Sequence, residues 1–204
     1  MVKIDGMVTI DVKPIDKSTI VFTEDTREWC KLPYPTMDEH GKKLKKSKIA
    51  HPNGCDDNYG KCETCPPKTP YRIDILDTYS HFVLVHATFD IQKYIEEMRE
   101  LHPDWTDKQL RNLLYWQGQL KAKLKDKLKE LEYDELFGAG SGFMGRPSME
   151  ASGIFVFATF QRNGIKFDKN ARKFVKMVCL LVSRGKKPER RKSKSTLLDF
   201  LDQK

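Results

Sequence analysis

The stretch from Cys30 to Pro70 constrains this chain most. It holds prolines at 33, 35, 52, 66, 67 and 70 together with four of the five cysteines, Cys30, Cys55, Cys62 and Cys65. Proline fixes φ and lacks an amide donor, so long helices and strands are excluded there. Order in such a segment must come from something other than a packed core, and thiolate ligation supplies it. The spacing is Cys30-x24-Cys55-x6-Cys62-x2-Cys65. The last pair lets two thiolates grip one centre from a single tight turn, and Cys30 and Cys55 complete a tetrahedral set. Zinc and an iron–sulfur cluster both accept four thiolates, and the spacing does not separate them. Cys65-Pro66 is similar to the end of cluster-binding runs and favours an iron–sulfur centre, 4Fe–4S, with zinc as the alternative. His51 is a reserve ligand, though beside Pro52 and Gly54 it reads first as a loop residue. Two disulfides are the non-metal alternative, and they are uncommon inside cells outside hyperthermophiles.

Around this segment the hydrophobic pattern describes one α/β or α+β domain over residues 1–183, a mixed β-sheet with helices. Met7–Val12 and Thr19–Thr23 read as strands. His81–Phe89 is a largely apolar strand of the kind covered on both faces. Ile91–Leu101 has helical spacing ended by His102-Pro103, and Thr106–Gln109 has the form of a capping box. Leucines from Leu110 to Leu131 keep helical spacing towards Phe137, with a break near Gly118, and read as core packing. A glycine-rich loop, Gly138–Gly145, precedes Arg146–Gly153. It lacks the Gly-Lys-Ser/Thr ending of a phosphate-binding loop and reads as a connection. Ser148 is expected to cap a short helix and Glu150 to be a buried partner of Arg146. Ile154–Phe160 and Val175–Ser183 read as the last strands, with Cys179 an inert core thiol.

Charge matters for partners. The 204 residues carry 37 Lys and Arg against 29 Asp and Glu, a formal excess of +8. This favours nucleic acid or an anionic protein face. The nearest candidates for sequence-independent phosphate contact are Lys42, Lys43, Lys45 and Lys46, in the loop between the first two cysteines. Arg190 and Arg191, in a basic linker over 184–193, are further candidates. No apolar run reaches the ~18 residues of a membrane span, and Met1–Gly6 shows no signal-peptide core. The expectation is a cytoplasmic protein, and the heavy Lys and Glu usage suits a thermophile.

Two motifs carry a family resemblance. Cys55-x3-Tyr59-Gly60-x4-Cys65-Pro66-Pro67 is followed by Arg146-Pro147-Ser148-Met149-Glu150-Ala151-Ser152-Gly153-Ile154, about eighty residues on. In this order they resemble a prokaryotic family known only as predicted metal-binding proteins of unknown function, over about residues 28 to 165. Typical members carry a ferredoxin-like cysteine-rich stretch before the second motif. Here that interval is the cysteine-free glycine loop. The resemblance therefore implies a single centre without a second cluster, and no electron relay between two.

The C-terminal segment 194–204 resembles a different element. Lys194-Ser195-Thr196-Leu197-Leu198-Asp199-Phe200-Leu201 is similar to the PIP box, with which archaeal replication and repair proteins bind the sliding clamp, PCNA. Leu197, Phe200 and Leu201 would share one turn and plug an apolar pocket, and Lys194 stands where the usual glutamine sits. Self-docking of the segment is the structural alternative. The resulting expectation is an archaeal metal- or iron–sulfur-binding accessory protein of DNA replication or repair, tethered to PCNA. A cluster-dependent redox enzyme acting on a small molecule or modified nucleic acid is the rival. No nucleophile–base pair, paired carboxylates or nucleotide motif identifies catalytic residues.

Overall fold

The computed structural model describes residues 2–34, 36, 42–46, 49, 51–140, 142–168 and 171–185. Most of the basic linker, with Arg190 and Arg191, and the whole segment 194–204, with Lys194, Leu197, Phe200 and Leu201, lie outside the described residues.

Four strands form one sheet: β1 (Val8–Ile15), β2 (His81–Asp90), β3 (Glu135–Phe137) and β4 (Phe174–Ser183), in the order β1-β2-β4-β3. Every ladder between them is antiparallel, so the α+β form of the expected class is the one realised. β2 and β4 are central and pair along their whole lengths, from His81 opposite Ser183 to Asp90 opposite Phe174. Side chains alternate across a strand, so β2 feeds two cores at once. Val83, Val85, Ala87 and Phe89 enter one, Phe82 and Leu84 the other.

The first core is closed by helices. Thr106 and Gln109 form the expected capping box at the start of α4 (Asp107–Leu110), and Asp90 caps α3 (Ile91–Leu101) by accepting from the Lys93 N–H. The leucine stripe is interrupted earlier than Gly118. A 3₁₀ turn at Leu113–Tyr115 precedes α5 (Gln117–Lys129), whose Leu120, Leu124 and Leu128 are fully buried against the sheet. The helix ends at Lys129, with Glu130 as its C-cap. Leu131 remains buried in the turn that follows, and the chain then enters β3.

The second face is covered by shorter pieces: α1 (Asp25–Glu28), α2 (Ile75–Thr78), the 3₁₀ turn Glu150–Ser152 and α6 (Val156–Arg162). Two expected strands are absent here. Ile154–Phe160 is mostly α6, because Val156, Thr159 and Phe160 are buried at helical spacing while Phe157 is 51% exposed. A short continuous apolar run does not distinguish strand from buried helix, and here tertiary packing decides. Thr19–Thr23 does not join the sheet. Asp16 accepts from the Ser18 N–H and opens a 3₁₀ turn, Lys17–Thr19. The chain beyond then pairs with the start of α6: Phe155 N–H donates to Val21 O at 2.7 Å and Thr23 N–H to Gly153 O at 2.8 Å.

Candidate metal centre

The cysteine segment attaches to this second face. Its anchor is the Arg146–Ile154 motif, so the two motifs that lie far apart in sequence are neighbours in space. Arg72 N–H donates to Ser152 O at 3.0 Å, the Thr26 hydroxyl donates to Glu150 O at 3.0 Å, and Arg27 Nη2 reaches Thr69 O at 2.9 Å. Gly153 has φ +92°, and a Cβ there would stand 2.3 Å from the Tyr71 ring, so only glycine permits this docking. Ser148 caps as expected, its Oγ accepting from the Ala151 N–H at 3.0 Å. Glu150 does not pair with Arg146, which is exposed. Its carboxyl is held by Ser148 and its own backbone N–H, and burial pushes its pKa up.

Nested turns then gather the thiols. Cys55 N–H donates to Cys30 O at 2.7 Å, tying the first two cysteines by their backbones. Gly54 makes this approach possible: its φ is +83°, and a Cβ would fall 2.2 Å from Cys30 O. From Cys55 the chain winds tightly, with Tyr59 N–H on Cys55 O at 3.0 Å, Cys62 N–H on Asn58 O at 3.0 Å and Cys65 N–H on Cys62 O at 3.1 Å. The last of these is the tight turn expected of the x2 pair.

Electrostatics records the gathering. The half-buried Cys30 thiol is pushed up, first by burial and then by the charges of Cys55 and Cys65. Cys62 moves the other way, because the Thr64 hydroxyl, 3.1 Å from its Sγ, and the Thr64 N–H favour its thiolate, with Cys65 adding a further hydrogen bond. Cys30, Cys55, Cys62 and Cys65 thus share one corner, linked through Cys30 and Cys65. No disulfide joins any two of the five cysteines. The thiols share a neighbourhood rather than a ligand shell: among the described residues no three Cys, His, Asp or Glu side chains converge to hold a metal ion. Two of them have local partners outside the set, Cys62 the Thr64 hydroxyl and Cys55 the Asn58 Nδ2 at 3.5 Å.

The donor set fits a thiophilic centre. Four thiolates around a divalent ion leave net negative charge, which nearby cations offset. Lys31 and Lys61 rim a cavity of about 330 Å³ beside Cys30 and Cys55, which Asp56 also lines. Lys31 is also ion-paired with Glu28, and its Nζ stands 5.3 Å from the Tyr59 ring. Neither lysine was singled out in the sequence, although Lys31 follows Cys30 directly and Lys61 precedes Cys62. Cys179 lies apart in the core, where burial pushes its thiol up to about 12.

His51 has a structural task. It exchanges both backbone hydrogen bonds with Tyr34, at 3.0 and 3.1 Å, and the two rings stack 4.4 Å apart. This closes the base of the loop bearing Lys42, Lys43, Lys45 and Lys46, all four exposed. Tyr34 and His51, which bound this stretch, lie close in sequence to Cys30 and Cys55. The glycine loop is a tethered connection, with Gly138 N–H on Pro147 O at 2.7 Å and Phe143 buried.

No helix among the described residues is long and apolar enough to cross a membrane. No family model, curated protein or solved structure matches this chain.

Proposed function

We propose that this chain is a single-centre metal or iron–sulfur protein that acts beside DNA as an accessory factor bound to the sliding clamp. The observation that carries the metal part is that backbone bonds bring Cys30, 25 residues upstream, to the compact Cys55–Cys65 turns, so that four thiols share one corner. Cys30, Cys55, Cys62 and Cys65 are the proposed ligands. Because the thiols stand apart among the described residues, binding is expected to draw Cys30 and the Cys55–Cys65 turns together, coupling ligation to local order. The bound centre would chiefly supply structure, holding together a segment that has few buried apolar side chains of its own. The clamp part rests on the sequence of 194–201 alone, and the DNA part on the lysine loop and the basic linker.

Anaerobic purification followed by an absorption spectrum and metal analysis tests the first part. A brown protein with stoichiometric iron and sulfide supports the cluster. A colourless protein with one zinc replaces the cluster by zinc, and a metal-free protein that takes up neither overturns the centre. Titration against archaeal PCNA tests the second part. Leu197→Ala with Phe200→Ala is expected to abolish binding, and a double variant that binds like the parent overturns the clamp reading.

The rival reading, chemistry on a small molecule, is favoured by one observation. Glu150, its carboxyl raised by burial, lines a cavity of about 410 Å³. Since a carboxyl whose pKa is raised by burial is also a common structural element, this reading ranks second.

A further inference from the structure

A trough on the α6 side of the sheet carries an unusual combination of side chains. It consists of two adjoining depressions, of about 790 and 380 Å³, that share Lys166 and Phe167. The first is walled by Trp29 and Phe157, the second by Phe174, Lys173 and Lys176. Trp29, Phe157 and Phe174 remain 40%, 51% and 44% exposed, in a protein whose other large aromatics are mostly enclosed. Exposed rings grouped in one concavity mark a contact surface rather than scattered surface apolarity.

Two of these rings are held by other aromatics, and Phe174 begins strand β4. Trp29 meets Phe155 edge-on at 5.4 Å, and Phe157 packs on Phe167 at 4.9 Å, which is itself set against Phe160 of the core. Three lysines border them. Lys166 and Lys173 are exposed, and Lys176 lies half-buried with its Nζ on the Thr88 hydroxyl. Among the described residues Asp168 is the one carboxylate lining the two depressions, its Oδ2 accepting from the Lys173 N–H at 2.8 Å. Glu150 lies in the adjoining cavity of about 410 Å³, which shares Phe157, Phe174 and Lys176. Lysine charge therefore dominates the rim, and Lys176, partly withdrawn from water, gains most from an anion beside it.

We propose that this trough binds single-stranded nucleic acid, with Trp29, Phe157 and Phe174 stacking on bases and Lys166, Lys173 and Lys176 meeting the phosphates. Exposed rings beside ammonium groups supply the two contacts a single strand uses, base stacking and phosphate neutralisation. A duplex hides its base faces and would use only the lysines. The inference deepens the DNA part of the reading above. It uses no cysteine and no residue beyond 185, so metal binding and clamp binding stand or fall separately.

The test is fluorescence anisotropy of the full chain with a labelled oligothymidylate of about 16 nucleotides, the upper range for one small domain. Binding is expected to weaken with salt, by a log–log slope of about 0.7 per phosphate contact. Phe157→Ala with Phe174→Ala is expected to weaken it by roughly tenfold or more. Lys166→Glu with Lys173→Glu is expected to weaken it and lower the salt slope. Both pairs change exposed positions, and an unchanged melting curve verifies the fold. Ring variants that bind like the parent overturn the proposal. So does a duplex that binds as tightly as the single strand, or a polyglutamate peptide that competes equally well. Loss of binding in Lys43→Glu with Lys45→Glu, together with intact binding in the ring variants, also overturns it and assigns the contact to the basic loop.

Discussion

The sheet and the cysteine corner are ordered by different physics. In the sheet, β2 and β4 bury most of their side chains, seven of ten in each, and two apolar cores press on the same pair of strands. In the corner, only Gly54, Cys65, Pro66 and Thr69 are buried among the described residues of 30–70. Its shape comes from successive backbone hydrogen bonds and from docking onto the Arg146–Ile154 motif. Each fully buried large apolar side chain contributes about 1.5–3 kcal/mol, whereas a typical hydrogen bond contributes a net ~1 kcal/mol. The sheet therefore sets global stability, and the corner is a local unit able to loosen without it.

The largest effect is expected where the sheet is cut. Phe89 is fully buried, paired opposite Val8 and Val175, and ringed by Tyr94 at 5.6 Å and Trp116 at 5.0 Å. Phe89→Ala is expected to cost about 3–5 kcal/mol, read as a fall in the urea midpoint for the entire chain. A loss under ~1 kcal/mol would mean that this core carries less of the stability than its burial implies.

The comparison sharpens at Gly54. A Cβ there meets the Cys30 carbonyl at 2.2 Å, and the positive φ adds about 1–2 kcal/mol of strain for an L-residue. Gly54→Ala is expected to part Cys55 from Cys30 while leaving the sheet folded. Limited proteolysis should cut faster within residues 30–70, with the global urea midpoint moving less than in Phe89→Ala. Unchanged protection of the corner would break the contrast, as would an equal loss of global stability.

The same contrast explains what was legible in the sequence. The sheet and its first layer are local problems of periodicity and capping, so β2, β4, α3 and the Thr106 box could be read directly, and β1 in its first part, before it runs on through Pro14 to Ile15. The second layer is decided by partners far along the chain. Phe22 takes Ile154 as its bridge partner, and Val21 bonds the segment that opens α6, which no local pattern announces. For the cysteines, the spacing revealed the turn at Cys62–Cys65. It could not reveal that Gly54 sets the approach to Cys30, or that Lys31, Lys61 and Tyr59 border the corner. The trough was invisible for the same reason: Trp29 and Phe157 belong to distant segments, and an alternating Phe155–Phe157 pair in a strand-like run gave no hint of a helix presenting Phe157 outward.

The smallest effect separates the one core thiol from the four in the corner by pH. Cys179 is fully enclosed, and burial holds its pKa at about 12 against an ordinary 9.0. Above pH 9 the unfolded chain releases this proton while the folded chain keeps it, so the unfolded state binds fewer protons and stability falls as pH rises. The contribution is complete below about pH 9 and is lost progressively towards about 12, at up to roughly 1.4 kcal/mol per pH unit. Cys179→Ala removes this term and loses about 1 kcal/mol of packing. The variant should therefore be less stable than the parent at neutral pH, and the gap should close or reverse by about pH 10.5 in urea unfolding. The corner thiols are present in both proteins, so their titration cancels in the difference. A gap that stays constant with pH would show that Cys179 is reached by solvent and that the sheet's core is looser than the contrast requires.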